Sequence, residues 1–173
     1  MKNLKTEIKY AFLSAIALVI WVMAEHLLGF NTTKMELGEH TRPIIAIVTL
    51  IFLFFGIREK KNKELHEQLT FKQGLKTAFF ISLFYAVLQG IWFAIYGGII
   101  NPDYGTLSLQ FHENQLIAKG KTPQQISDEL AMTKLIFGNP FLQFGFFIIF
   151  TTIIDTLVGA IITLFLRTRK IKT

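Results

Sequence analysis

The sequence predicts an all-α, polytopic membrane protein: four antiparallel transmembrane helices with an extracytoplasmic helical hairpin between spans three and four. Three observations predict it. Four apolar stretches, residues 10–30, 43–57, 75–100 and 141–166, are each closed by charged or turn-forming residues. The first, third and fourth exceed the ~20 residues that a helix needs to cross a hydrocarbon layer. Hydrophobic residues make up 51% of the 173, with 18 Phe among them, a balance rare in a soluble domain. The basic residues are also unevenly placed. Of the 18 Lys and Arg, 13 lie at the two termini and in the loop joining spans two and three, and 5 lie in the other loops. By the positive-inside rule both termini are cytoplasmic, which an even number of spans allows. The net charge of +6 therefore reads as topology, not as a nucleic-acid surface. One membrane domain, 1–173, uses the whole chain, with spans at about 10–30, 42–58, 72–100 and 140–166 and the hairpin at about 101–139. The chain has no cysteine, which excludes disulfides, lipoprotein anchoring and thiolate metal sites.

Span one starts beyond Lys2, Lys5 and Lys9. Those lysines and Val22-Met23-Ala24 resemble a signal peptide with a cleavage site. The apolar run continues through Leu27, Leu28 and Phe30, too long for a signal core, so an uncleaved span is expected. Ala11, Ala15 and Leu18 recur at helical spacing and suit close packing. Gly29-Phe30-Asn31 ends the helix. Span two is expected to start at Pro43, where a first-turn proline loses no hydrogen bond. Its apolar run is only 15 residues, so Thr41, Arg42 and Arg58 must extend it, with the arginines snorkelling to the headgroups. The loop 58–69 is dense in Lys and Glu and reads as an orienting, lipid-attracting segment.

Thr70-Phe71-Lys72-Gln73 reads as a capping box that starts span three, and Asn101-Pro102-Asp103 ends it. The segment 101–140 carries Gly120 as a helix stop and Thr122-Pro123-Gln124-Gln125 as a helix start. Two short helices follow, about 106–118 and 123–137, with Ile126, Leu130 and Phe137 near one face of the second. Packed on the mouth of the bundle near Glu25 and Trp92, this hairpin would present Lys119, Lys121, Asp128 and Glu129. Asn139-Pro140 starts span four, which runs to Arg167-Thr168-Arg169-Lys170.

The order of these signals carries a resemblance. Phe54-Phe55-Gly56-Ile57-Arg58 ends span two, and Leu69-Thr70-Phe71-Lys72-Gln73-Gly74-Leu75-Lys76 enters span three. A Gly-centred hairpin then leads to Asn139-Pro140. Over nearly its whole length the chain resembles the domain-of-unknown-function 4199 family of bacterial four-span membrane proteins. The resemblance implies a four-helix fold in the bacterial inner membrane. It implies no activity and carries over no catalytic residue.

Asp155 is the sharpest candidate for chemistry, since an ionisable group near the middle of a span is costly and by default functional. At ~1.5 Å per residue it lies about 21 Å below the outer end of its span, and Tyr85 and Gln89 lie about 22 Å and about 16 Å below the outer end of span three. Ser82, Tyr85, Gln89, Trp92 and Tyr96 share one helical face; Thr152, Asp155, Thr156, Gly159 and Thr163 share another. The two faces are expected to meet, with Asp155 clamped through Tyr85 or Gln89. A proton or cation relay and a catalytic role are the other readings of this intramembrane cluster. Glu25 and His26 form a second polar pair about 7 Å from the outer boundary, shallow enough for water to reach a wet helix end. His26, Glu36, Glu39, His40, His112 and Glu113 share the outer side, yet no established zinc signature appears and no metal is expected.

No catalytic residue and no cofactor are assigned. The expected role is a non-catalytic accessory or interaction protein of a larger membrane assembly. Its partners would be the lipid bilayer and a membrane protein or a second copy of itself, with no nucleic acid. The alternative is a small proton- or cation-coupled transporter using Asp155; a lipid-modifying enzyme comes third.

Overall fold

Apolar surroundings leave the backbone no hydrogen-bond partner but itself, and the long apolar runs of this chain answer with helix. The computed structural model describes residues 4–168, in which six α-helices follow one another. They are α1 (Lys5–Leu27), α2 (Met35–Glu59), α3 (Phe71–Ile95), α4 (Tyr104–Ala118), α5 (Pro123–Phe137) and α6 (Pro140–Leu166). A π-helical turn, Lys60–Glu64, prolongs α2, and another, Tyr96–Ile100, prolongs α3. Four helices, α1, α2, α3 and α6, are long and apolar enough to cross a membrane, and the chain is a multi-pass membrane protein. Ile20, Ile149, Leu157 and Phe165 are each more than half exposed on these helices, as a lipid-facing surface requires.

The interior is organised around α3. Its most extensive contact is with α6, followed by α1, and α1 also packs on α2. Small residues set the α3–α6 distance. A Cβ on Gly74 would collide with the Thr163 side chain, and one on Gly159 would collide with Ala78. Close backbone approach of this kind drives helix association where lipid removes the hydrophobic incentive. Thr163 is fully buried along this seam, and Thr151 donates to the Gln89 amide oxygen at 2.9 Å. On the other side of α3, Ala11 and Leu18 of α1 are buried and cluster with Tyr85 and Tyr96.

The structure corrects the start of span two. Helix α2 begins at Met35, eight residues before Pro43, so the proline lies inside the helix. A proline there removes one N–H and crowds the carbonyl four residues back. Membrane helices tolerate this because nearby side chains re-satisfy freed backbone groups. Thr41, two residues earlier, turns its hydroxyl back to the Gly38 carbonyl at 3.1 Å. The earlier start lengthens the helix to 25 residues before its π-helical turn.

The two ends of the bundle differ. At the end that holds the start of α1 and the end of α6, the loop 58–69 is folded into the protein. Lys60 bridges Glu64 at 2.6 Å and the buried Glu7 at 3.0 Å. Glu59 receives Lys9 and the Tyr10 hydroxyl, each at 2.7 Å, while Lys63 joins it at 3.2 Å. Thr6 donates to Glu64. Part of the charge expected to face lipid is therefore spent within the chain, tying the start of α1 to the end of α2. Two non-glycine residues of the loop, His66 and Glu67, adopt positive φ. Thr168 holds them there, donating its hydroxyl to the Glu67 carbonyl at 2.7 Å and pairing through its backbone N–H with the Leu69 carbonyl at 2.9 Å. Lys2, Arg169, Lys170 and Lys172, which belong to the orienting charge pattern, lie outside the described residues.

At the opposite end α4 and α5 form the expected hairpin. Thr122 and Gln125 make a reciprocal capping box at the start of α5, as Thr70 and Gln73 do for α3. Gly120 turns the chain between the helices at φ +75°, a conformation suited to glycine. Gln115 of α4 donates to Glu39 of α2 at 2.6 Å and fastens the hairpin to the bundle.

Candidate functional site

The hairpin closes over a cavity of about 460 Å³. Its walls come from the end of α3 with its π turn, from α4, from the last residue of α5 and from the first turns of α6. The wider π turn places Gly97 and Gly98 on the wall, and beyond their own stretch of helix no atom lies within 4 Å of where either Cβ would stand. Such turns recur at functional sites because they displace the residues around them. Phe93 and Phe147 stack at 5.1 Å between ring centroids and, with Phe137 and Phe144, form the apolar wall. The polar wall holds Arg42, Tyr104 and His112. Burial pushes the Tyr104 phenol above its ordinary pKa, and the Arg42 guanidinium acts against that shift.

Beside the cavity a hydrogen-bond network closes the helix ends. Tyr96 is almost fully buried. Its hydroxyl lies 3.1 Å from His26 Nδ1 and receives Asn101 Nδ2 at 3.2 Å. Asn101 also donates to the Asn31 carbonyl at 3.0 Å, which joins the α1–α2 loop to the end of α3. Glu25 and His26 are neighbours in sequence but serve different partners. The Glu25 carboxylate accepts from Trp21 Nε1 at 2.9 Å and from the Thr41 hydroxyl. Glu25 is only 5% exposed, so the expectation of a wet helix end is corrected. Depth along the helix had placed it near water; the side chains of Trp21 and Thr41 enclose it.

The intramembrane cluster is split. Tyr85 reaches α2, its hydroxyl 3.3 Å from that of Thr49. Gln89 is taken by Thr151 of α6. Asp155 is half-buried and close enough to Tyr85 to interact electrostatically, but among the described residues it has no hydrogen bond or ion pair. The expected clamp through Tyr85 or Gln89 is therefore not the arrangement found. Thr151, one turn before Asp155, makes the α6-to-α3 bond instead. Thr152 and Thr156, flanking Asp155, have buried hydroxyls without partners.

Sequence reasoning missed Arg42 as a site residue. Its Nε and one Nη are buried without a hydrogen-bond partner, and it lines the cavity where a snorkelling side chain was expected. The available signal was an arginine beside a proline at the edge of an apolar run. Of the six outer His and Glu residues, His26 serves Tyr96, Glu39 serves Gln115 and His112 lines the cavity. Among the described residues, no three His, Cys, Asp or Glu gather as a metal site.

The family described as "Protein of unknown function (DUF4199)" matches residues 9–168, and the chain belongs to it. No curated protein and no solved structure matches the chain.

The split cluster makes opposite forecasts for two substitutions, both read by thermal unfolding in detergent. Gln89→Leu should lower stability by about 1 kcal/mol, the scale of an interhelical hydrogen bond in a membrane protein. Asp155→Leu should leave stability unchanged or raise it, because no bond inside the chain is lost and a costly polar group is removed. A loss at Asp155 as large as that at Gln89 would show that the carboxylate is clamped after all.

Proposed function

We propose that this protein is a non-catalytic accessory component of a larger membrane assembly, and that the α4–α5 hairpin is its recognition element. The observation that supports this reading is the hairpin's surface. One side is engaged: Ile126 and Leu130 are buried, and Gln115 holds Glu39. Elsewhere Ile117, Met132 and Leu135 are each more than half exposed. Among its charged residues, Lys121 pairs with Glu129 at 2.7 Å and Asp128 accepts from Gln124 at 3.0 Å. A rigid, capped helix pair that keeps apolar side chains exposed fits an interaction surface. Ordered connections this long are usually functional. The basic residues favour a hairpin outside the cytoplasm with both termini within it, in the bacterial inner membrane.

A small proton- or cation-coupled transporter is the second reading. The unpartnered Asp155 carboxylate with the unpartnered Thr152 and Thr156 hydroxyls favours it. Proton flux in proteoliposomes that Asp155→Asn abolishes would establish it; a wild-type protein without flux removes it.

Replacing residues 106–137 with a short Gly/Ser linker tests the first reading. The shortened chain should remain inserted and folded but lose co-purification with its partner. A photo-crosslinking side chain at Met132 should give one discrete adduct in native membranes, whose mass separates a second copy from a different protein. Retained co-purification, or crosslinking to lipid alone, contradicts the accessory role.

A further inference from the structure

Helix α4 borders the cavity under the hairpin with a row of unsatisfied polar groups. Tyr104, Ser108 and His112 follow one another at four-residue spacing, so they share one face of α4, and all three line the cavity. Gln143 of α6 lines it too. None of these four side chains makes a hydrogen bond among the described residues. Ser108 is only 5% exposed, yet its hydroxyl is not sealed in protein as those of Thr152 and Thr156 are. A serine inside a helix can return its hydroxyl to the carbonyl four residues back, as Ser14 and Ser82 do here. Ser108 does not, and the cavity is the space it borders.

The rest of the wall narrows what could satisfy these groups. No lining residue is acidic, so a cation has no complement there. Arg42 borders the cavity, but its Nε and Nη2 are covered by protein. The groups left open are hydroxyls, an imidazole and an amide, each able to donate to a neutral oxygen. They come from two helices, which suits a head with acceptor oxygens on two sides. Phe93, Phe137, Phe144 and Phe147 make an aromatic wall, against which another flat ring packs edge-on or offset. A volume of about 460 Å³, mostly apolar walls and a few polar groups are the features of a small-molecule site. Ala94 and Gly98, one turn apart on the span α3, border the cavity and are also exposed, so it meets the lipid-facing surface between two small residues. A plain alkyl chain would leave the donors unpaired; a water-soluble polar molecule would leave the aromatic wall without a complement.

We propose that the cavity binds a lipophilic quinone of the bilayer. One carbonyl oxygen accepts from the Tyr104, Ser108 and His112 face and the other from Gln143. The ring lies against the phenylalanines, and the isoprenoid tail leaves past Ala94 and Gly98. This inference is independent of the accessory role, which rests on the hairpin's outer surface.

The test uses the full chain in phosphatidylcholine nanodiscs, titrated with decylubiquinone. Decylbenzene, with a ring and chain but no acceptor oxygen, is one control. Monoolein, with the oxygens but no ring, is the other. Thermal midpoint is the common readout, and saturable quenching of tryptophan fluorescence gives the quinone affinity. The wild type should gain stability with the quinone and with neither control. The double variant Tyr104→Phe, Ser108→Ala removes two hydroxyls that have no hydrogen-bond partner among the described residues. It should therefore fold as the wild type does while quinone affinity falls roughly tenfold, the effect of losing two neutral hydrogen bonds. Gly98→Leu enters open space on the cavity wall, so it should fold and yet exclude the quinone with the polar face intact. No response to the quinone, an equal response to either control, or a quinone affinity unchanged in both variants overturns the proposal.

Discussion

The close approach of α3 and α6 is the contact on which the rest of the structure depends. Helices in lipid gain nothing from hiding apolar side chains from one another, so association needs near-backbone packing and a few interhelical hydrogen bonds. This chain supplies both along one seam: Gly74 under Thr163, Ala78 under Gly159, and Gln89 bonded to Thr151. Helix α1 packs on another side of α3, and α2 closes the bundle through Thr49 and Tyr85. Shifting the seam by one residue would turn Gly159 and Thr163 away from α3 and put bulk where none fits.

The polar groups at the bundle's two ends are handled in different ways. At the terminal end, acids and bases neutralise one another: Glu7, Glu59 and Glu64 are matched by Lys9, Lys60 and Lys63. At the hairpin end, neutral hydrogen bonds around Tyr96 and Asn101 join the helix termini. Arg42 is the exception, a half-buried cation beside the cavity whose Nε and Nη2 are covered by protein without a hydrogen-bond partner. The terminal end thus reads as a closed structural fastening. The hairpin end carries the π turn, the paired glycines and the cavity.

Much of the fold was legible because its signals are local. The lengths of the apolar runs gave the spans, and Thr70 with Gln73 and Thr122 with Gln125 gave two helix starts through hydrogen bonds three residues apart. Depth along a helix does not specify which neighbour a side chain touches. Tyr85, Gln89 and Asp155 were expected to meet, yet Tyr85 turned to α2 and Thr151 occupied Gln89. Arg42 was misread for a related reason. Once α2 starts at Met35 and the hairpin folds over it, a residue that looked like the edge of a span becomes part of an interior wall.

The α3–α6 register can be read directly, because the chain contains no cysteine to interfere. Cysteines at Gly74 and Thr163 would place their Cβ atoms 3.0 Å apart, a small adjustment from the roughly 3.5–4.5 Å of a disulfide. Mild oxidation of the double variant in native membranes should form an intramolecular bond in most of the protein. The absence of that bond, or its formation only between separate chains, would contradict the packing on which the account rests.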